Sequence, residues 1–172
     1  PPVENEESGV RIRRARPDEG RLLARLERAA TEDALAHIFP PQQYPYPVNA
    51  IAQRWRQLLS SRLTHAYLLE VQESPVGYVA FDSETVHHLG VVPDHTHRGY
   101  GSTLLEFACM EIYAGGARDA FCWVLTGNHA ARAFYRALGW NETGERTKSE
   151  FPPHPQLLQM ALRNPHAPRR SL

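Results

Sequence analysis

Leu89-Gly90-Val91-Val92 runs through Pro93-Asp94-His95-Thr96-His97-Arg98 to Gly99-Tyr100-Gly101 and on into Ser102-Thr103-Leu104-Leu105. An apolar strand thus reaches two close glycines and then an amphipathic helix. Glycine lets the backbone turn tightly and approach an anion, while the first turn of a helix offers unpaired N–H groups and a partial positive charge. Residues 97–102 therefore have the makings of a pyrophosphate cradle. A dinucleotide fingerprint would need a third Gly or Ala three residues past the second glycine, and Leu104 stands there. Another phosphate carrier is expected.

About thirty residues on lies Asn128-His129-Ala130-Ala131-Arg132-Ala133-Phe134-Tyr135-Arg136-Ala137-Leu138-Gly139-Trp140. Ala131, Phe134 and Leu138 make an apolar helical stripe, Asn128 suits the N-cap, and Gly139 suits the position just past the end. Seven residues are close to two turns, so Asn128 and Tyr135 leave the helix on nearly the same face. An amide and a phenol side by side suit a polar ligand.

These two segments resemble the GCN-related N-acetyltransferase (GNAT) superfamily. Its hallmark is a strand, an Arg/Gln-x-x-Gly-x-Gly/Ala turn and a helix, followed by a strand and an Asn-x-x-Ala-x-x-Phe-Tyr-x-x-x-Gly-Phe helix. Arg98 to Gly101 match the first half and Asn128, Ala131, Phe134, Tyr135 and Gly139 the second, with Trp140 in place of Phe. The leading Arg/Gln position holds Thr96, which on this resemblance weakens cofactor affinity without abolishing it, since backbone N–H groups make most of the contact; His97 and Arg98 stand by to compensate. The resemblance spans residues 10–163 and is strongest over 86–140.

The resemblance implies an acyl-CoA-dependent N-acyltransferase, most simply acetyl-CoA to a primary amine of a small molecule through a direct ternary complex, with no metal. Cofactor contacts then fall on Leu89, Val91, Val92, Thr96, His97, Arg98, Gly99, Tyr100, Gly101, Ser102, Asn128 and Tyr135. Two alternatives stay open, a protein or peptide acceptor and a non-catalytic acyl-CoA-binding module. Relatives commonly dimerise, so a homodimer is implied by the resemblance alone.

Acyl transfer to an amine with a pKa of about 10.4 requires that a proton leave, and the departing thiolate benefits from an acid. Tyr135 falls where the family has that acid. The candidate bases are His87 and Glu84, with His88 next door. The family's arylalkylamine branch carries His-x-His on this strand, and alignment through the glycine loop puts the second histidine on His87; other relatives use a Glu, which falls at Thr85 or, with a small shift, Glu84. An imidazole titrates near neutrality, which favours His87. Strand alternation sets His87 and His88 on opposite faces, so the pair is not expected to act together or to hold a metal; His88 is expected to pack under a helix. Acceptor walls are expected from residues 39–47 and 149–155, with Phe39, Tyr44, Tyr46 and Phe151 suiting an apolar or aromatic amine. The competing reading is that these rings only fasten the loops.

The elements needed to position these groups can be read from the remaining pattern. Residues 10–15 alternate as a strand; Pro17-Asp18-Glu19 opens a helix carrying Leu22, Leu23, Leu26 and Ala30; Ile51, Ala52, Trp55, Leu58 and Leu59 mark a second helix. Residues 65–71 and 76–81 read as a hairpin turning at residues 72–75, followed by a third meander strand over 85–92. A strand at 118–125 and a closing pair at 141–148 and 156–162 complete an α/β (α+β mixed) order β-α-α-β-β-β-α-β-α-β-β, which is the GNAT order. In that fold the central sheet splays between the strands at 85–92 and 118–125, and the acyl-CoA arm lies in the splay. The expected domain is residues 10–163, with flexible segments at 1–9 and 164–172.

The 172 residues are 42% hydrophobic, enough for one domain with a core. Lys plus Arg equals Asp plus Glu at 19 each with no basic run, so neither nucleic acid nor a membrane surface is implied as a partner. Cys109 and Cys122 lack metal or disulfide spacing, and no apolar run approaches the roughly 20 residues of a membrane span. The polar, acidic start is unlike a signal peptide. A cytoplasmic protein is expected, and the opening proline suggests that added or processed residues precede the native domain.

Overall fold

A computed structural model describes residues 3–5 and 9–167. The strands are β1 (Val3–Asn5), β2 (Val10–Arg14), β3 (His65–Val71), β4 (Ser74–Phe81), β5 (Thr85–Val91), β6 (Asp119–Leu125), β7 (Asn141–Lys148) and β8 (Gln156–Arg163). The helices are α1 (Gly20–Thr31), α2 (Val48–Ser60), α3 (Tyr100–Ala114) and α4 (His129–Ala137). One sheet runs in the order β1-β2-β3-β4-β5-β6-β8-β7. The expected element order is present, with β1 added in front. Residues 3–5 of the segment expected to be loose thus pair with β2. The expected flexible tail over 164–172 begins with Asn164, whose backbone N–H and side-chain amide donate to the Arg118 and Ala117 carbonyls; residues 1, 2, 6–8 and 168–172 lie outside the described residues.

Sheet position follows from composition. β4 is apolar along most of its length because both faces are covered, and its last six residues are buried. β7 reads Asn-Glu-Thr-Gly-Glu-Arg-Thr-Lys, is almost wholly exposed, and closes one edge; its charges discourage pairing with other chains. One core packs α3 and α4 against the sheet through Leu104, Leu105, Ile112 and Trp140. The other packs α1 and α2 through Leu23, Ile51, Trp55 and Tyr78. Fully burying each large side chain contributes about 1.5–3 kcal/mol.

The β3–β4 hairpin turns on Gln72 and Glu73 alone, both at positive φ, and Ser74 and Pro75 belong to β4. The expected four-residue turn is therefore two residues long, because paired left-handed residues match the twist of the flanking strands.

The decisive feature for the site lies between β5 and β6. They are parallel and pair only at Thr85↔Phe121 and Val86↔Cys122. From there β6 continues beside β8 along its whole length, while β5 parts from it toward the glycine loop. This is the expected splay.

Candidate functional site

The glycine loop is built as its sequence requires. A 3₁₀ turn at Pro93–His95 ends β5, His97 sits at φ 60°, and Gly99 caps α3 at φ 84°. The first helical bond runs from the Thr103 N–H to the Gly99 carbonyl, 3.0 Å, so the N–H groups of Tyr100, Gly101 and Ser102 precede it. A Cβ added at Gly99 would meet nothing within 4 Å, so the approach to these donors is open. Thr96, His97 and Arg98 are exposed there.

Two of the expected cofactor contacts have their hydrogen-bonding groups engaged within the protein. The Thr96 hydroxyl donates to the Pro93 carbonyl at 2.8 Å and is turned into its own loop. The Val92 N–H donates to the Val76 carbonyl at 2.8 Å and its carbonyl accepts from His95, so its backbone is spent on the sheet and the 3₁₀ turn. The free edge of β5 therefore ends before Val92.

Inside the splay, Leu89, Gly90, Val91, Gly101, Ala131, Phe134 and Tyr135 line a small cavity of about 190 Å³. It narrows between β5, the first turn of α3 and α4. Tyr135 also lines a much larger cavity of about 880 Å³, shared with Asn128, His87, His88 and Leu89. The two spaces share Leu89, Ala131 and Tyr135 as wall residues. Asn128 caps α4 by accepting the Ala131 N–H at 3.1 Å, as expected from its place before the stripe. Arg132 and Arg136 bind Glu142 of β7 at 3.0 and 2.6 Å, which fixes α4 against the sheet.

Tyr135 is buried, packed edge-on between Phe134 and Trp140, with its hydroxyl on the Cys122 thiol. Burial, and then the nearby Cys122 sulfur, push its pKa well above that of a free phenol, so it holds its proton at neutral pH. Burial likewise pushes the Cys122 thiol up to about 12, so this thiol is no nucleophile.

The histidine pair departs from expectation. β4 and β5 pair as Ala80↔His88 and Phe81↔Val86, so His87 is an extra residue in a β-bulge. A bulge breaks alternation, and both histidines line the large cavity with ring centroids 6.5 Å apart. The expectation that they point apart fails for that reason. His88 does pack under a helix, with its ring 5.1 Å from that of Trp55 on α2. Its burial holds it neutral, with a pKa well below the usual imidazole range. Half-exposed His87 sets Nε2 2.7 Å from Oδ2 of Asp82. Glu84 is exposed in the β4–β5 turn and is not part of the cavity wall; its backbone N–H binds Asp82 and its carbonyl binds β6. Glu84 is therefore not brought to the site.

Phe39, Tyr44, Tyr46 and Phe151 all line the large cavity, as the two loops close on it from either side. Glu27 of α1 accepts from Arg54 at 2.5 Å and from the Trp55 indole at 2.6 Å. Arg54 in turn lies 3.7 Å from Glu150 and 5.8 Å over the Phe151 ring, which ties the β7–β8 loop to α2. Tyr46 lies beside Thr31, whose hydroxyl already donates to the Glu27 carbonyl; the Tyr46 hydroxyl has no partner in bonding geometry among the described residues, and burial pushes its pKa up to about 12. Asp82, Glu27, Arg54 and Tyr78 are wall or support residues that sequence patterns leave invisible, since each acts through contacts distant in the chain or through a bulge. Only the Asp-x-x turn signature at Asp82 offered a local hint.

The sequence profile of the acetyltransferase (GNAT) family matches residues 21–140, which takes in the 39–47 loop, the glycine loop and the Tyr135 helix. The chain belongs to the GNAT family. As a member it is an acetyl-CoA-dependent N-acetyltransferase. It is 29% identical over 107 residues to the [ribosomal protein bS18]-alanine N-acetyltransferase of Escherichia coli K12, covering 62% of this chain and 68% of that one. The crystal structure of the ribosomal-protein-S18-alanine N-acetyltransferase from Escherichia coli superposes with a TM-score of 0.70 at 19% identity, covering 95% of this chain and 99% of the other. PaiA N-acetyltransferase from Thermoplasma acidophilum, solved in complex with coenzyme A, gives 0.67 at 16% identity, with 90% and 99% covered. These GNAT structures share the fold. Among the described residues no cluster of His, Cys, Asp or Glu suited to a metal occurs, and no helix is long and apolar enough to cross a membrane.

Proposed function

We propose that this GNAT enzyme acetylates a primary amine of a small molecule with an apolar or aromatic body, in a direct ternary complex. The observation that carries this reading is the cavity of about 880 Å³, walled by Phe39, Tyr44, Tyr46 and Phe151 and sharing Tyr135 with the small cavity in the splay. The N–H groups of Tyr100, Gly101 and Ser102 suit the pyrophosphate of acetyl-CoA, and Leu89 and Val91 suit its extended arm. Acetyl-CoA supplies an activated acetyl group as a thioester. His87 takes the proton that the substrate ammonium must lose before attack; as the C–S bond of the tetrahedral adduct breaks, Tyr135 gives its proton to the departing sulfur and is restored by the second proton shed from the new amide nitrogen. Burial keeps the Tyr135 phenol protonated at neutral pH, so it enters the reaction as a proton donor.

A second reading is favoured by the sequence match to alanine N-acetyltransferases of ribosomal protein bS18, namely acetylation of a protein or peptide amino terminus. The two separate in one experiment. Specificity constants are measured for arylalkylamines and for peptides with N-terminal alanine. The small-molecule reading expects arylalkylamines to be favoured at least tenfold; the reverse order would replace it with the peptide reading.

A further inference from the structure

Asp82 follows β4 directly and carries three hydrogen bonds on its two carboxylate oxygens. Oδ1 accepts the backbone N–H groups of Glu84 at 2.9 Å and Thr85 at 2.8 Å. Oδ2 faces Nε2 of His87 at 2.7 Å. The turn is closed again by the Asp82 N–H on the Thr85 carbonyl. A carboxylate fixed in this way has little freedom to rotate away from the imidazole. Partial burial raises its pKa, but the Glu84 and Thr85 N–H groups and His87 outweigh that and bring it below the usual carboxylate range. Asp82 is therefore an anion near neutral pH, and an ionised carboxylate only accepts hydrogen bonds.

From this geometry we propose that Asp82 is the positioning residue that sets the tautomer and direction of His87. The proposal rests on the reading of His87 as the base. Because Oδ2 accepts, Nε2 must donate, and the lone pair of the neutral ring is confined to Nδ1. The bulge at His87 contributes the other half, since it removes this one ring from strand alternation and leaves it on the cavity wall. When a substrate ammonium gives its proton to Nδ1, both ring nitrogens carry hydrogen and the imidazolium charge lies against the Asp82 carboxylate. The amine keeps the electron pair that then attacks the thioester, and the proton leaves His87 for solvent. Asp82 is ionised throughout. The neighbouring His88 is no competitor for that proton, because it is buried against Trp55 and held neutral.

Asp82→Asn tests this cleanly. The amide keeps an oxygen for the Glu84 and Thr85 N–H groups and replaces Oδ2 by an NH₂ that only donates, which drives the ring proton to Nδ1. Two readouts are taken, the His87 tautomer by ¹⁵N NMR of the free protein and steady-state kinetics with acetyl-CoA and an amine. The expected result is an Nε2–H tautomer in the native protein, an Nδ1–H tautomer in the variant, and kcat lowered about 10- to 100-fold with the KM for acetyl-CoA unchanged. Asp82→Glu should restore part of the rate and the native tautomer, which a purely structural role in the turn would not do. An unchanged tautomer or native kcat in Asp82→Asn, alongside a crippled His87→Gln enzyme, would overturn the proposal. Native turnover in His87→Gln would instead overturn the base reading on which it stands.

Discussion

Tyr135 is held from three sides, by Phe134, Trp140 and the Cys122 thiol, and lines both the narrow cleft and the wide cavity. Its packing means that the hydroxyl can be removed with little loss of buried area, so Tyr135→Phe isolates the proton. The expected outcome is a kcat about 100-fold lower with KM values for both substrates little changed and a native circular dichroism spectrum. Native turnover in a folded variant would remove Tyr135 from the chemistry. Asn128 and Tyr135 were legible in the sequence because a helix has a fixed period and their segment contains no interruption. His87 was only half legible. Its strand is the one the pattern implies, but one extra residue in β5 cancels the alternation on which its expected relation to His88 depends. A bulge is decided by pairing with β4, which a single strand's sequence does not contain.

At the scale of elements, the glycine loop works because α3 starts in the open. Gly99 is left-handed at φ 84°, so a side chain there strains the backbone by about 1–2 kcal/mol and disfavours the loop conformation that presents the free N–H groups. Gly99→Val should therefore raise the KM for acetyl-CoA more than tenfold, with binding checked by calorimetry, while the melting temperature falls only a few degrees. Unchanged affinity would mean that the anion does not sit on this loop. Gly90 is glycine for a different reason, since an added Cβ would fall 2.3 Å from the Tyr78 hydroxyl across the β4–β5 pair. Most strands and helices were legible from periodicity, and β7 matched its expected residues 141–148. The short β1 was not, because three residues carry too little pattern to distinguish a strand from a tail.

Across the whole molecule, the large cavity is assembled from segments more than a hundred residues apart, and Arg54 is the clasp that joins α1, α2 and the β7–β8 loop. Such long-range contacts leave no local signature, so Glu27 and Arg54 are invisible in the sequence, whereas the aromatic residues of the two loops stand out by residue type and line the same cavity. The β2–β3 end of the sheet, beside the start of α1, carries a second charged network. Glu70 is buried between Arg11 and Arg13, both at 2.6 Å, and Glu19 binds Arg13 and Arg16 at 2.8 and 3.0 Å. The Arg13 hydrogen bond lowers the Glu19 pKa; Glu70 is raised by burial, but the Arg11 and Arg13 bonds outweigh this and lower it. A carboxyl depressed in the folded state stabilises fully above its unfolded pKa of about 4.3 and loses that stabilisation as pH falls through the folded value. Stability should thus be flat near neutrality and drop below about pH 4. Glu70→Gln should cost about 2 kcal/mol at pH 7 in urea titrations and flatten that acid drop, and an unaltered pH profile would show that the pair contributes nothing.

In the proposed function, the splay between β5 and β6 presents an acetyl thioester to an amine held in the adjoining cavity. The measurement that tests it most directly is release of free CoA thiol from acetyl-CoA by the purified protein, with and without arylalkylamines, with the acetylated product identified by mass spectrometry. Saturable, amine-dependent thiol release with one acetylated amine formed per thiol is the predicted result. Tight binding of acetyl-CoA with no amine-dependent release, for arylalkylamines and N-terminal peptides alike, would contradict it.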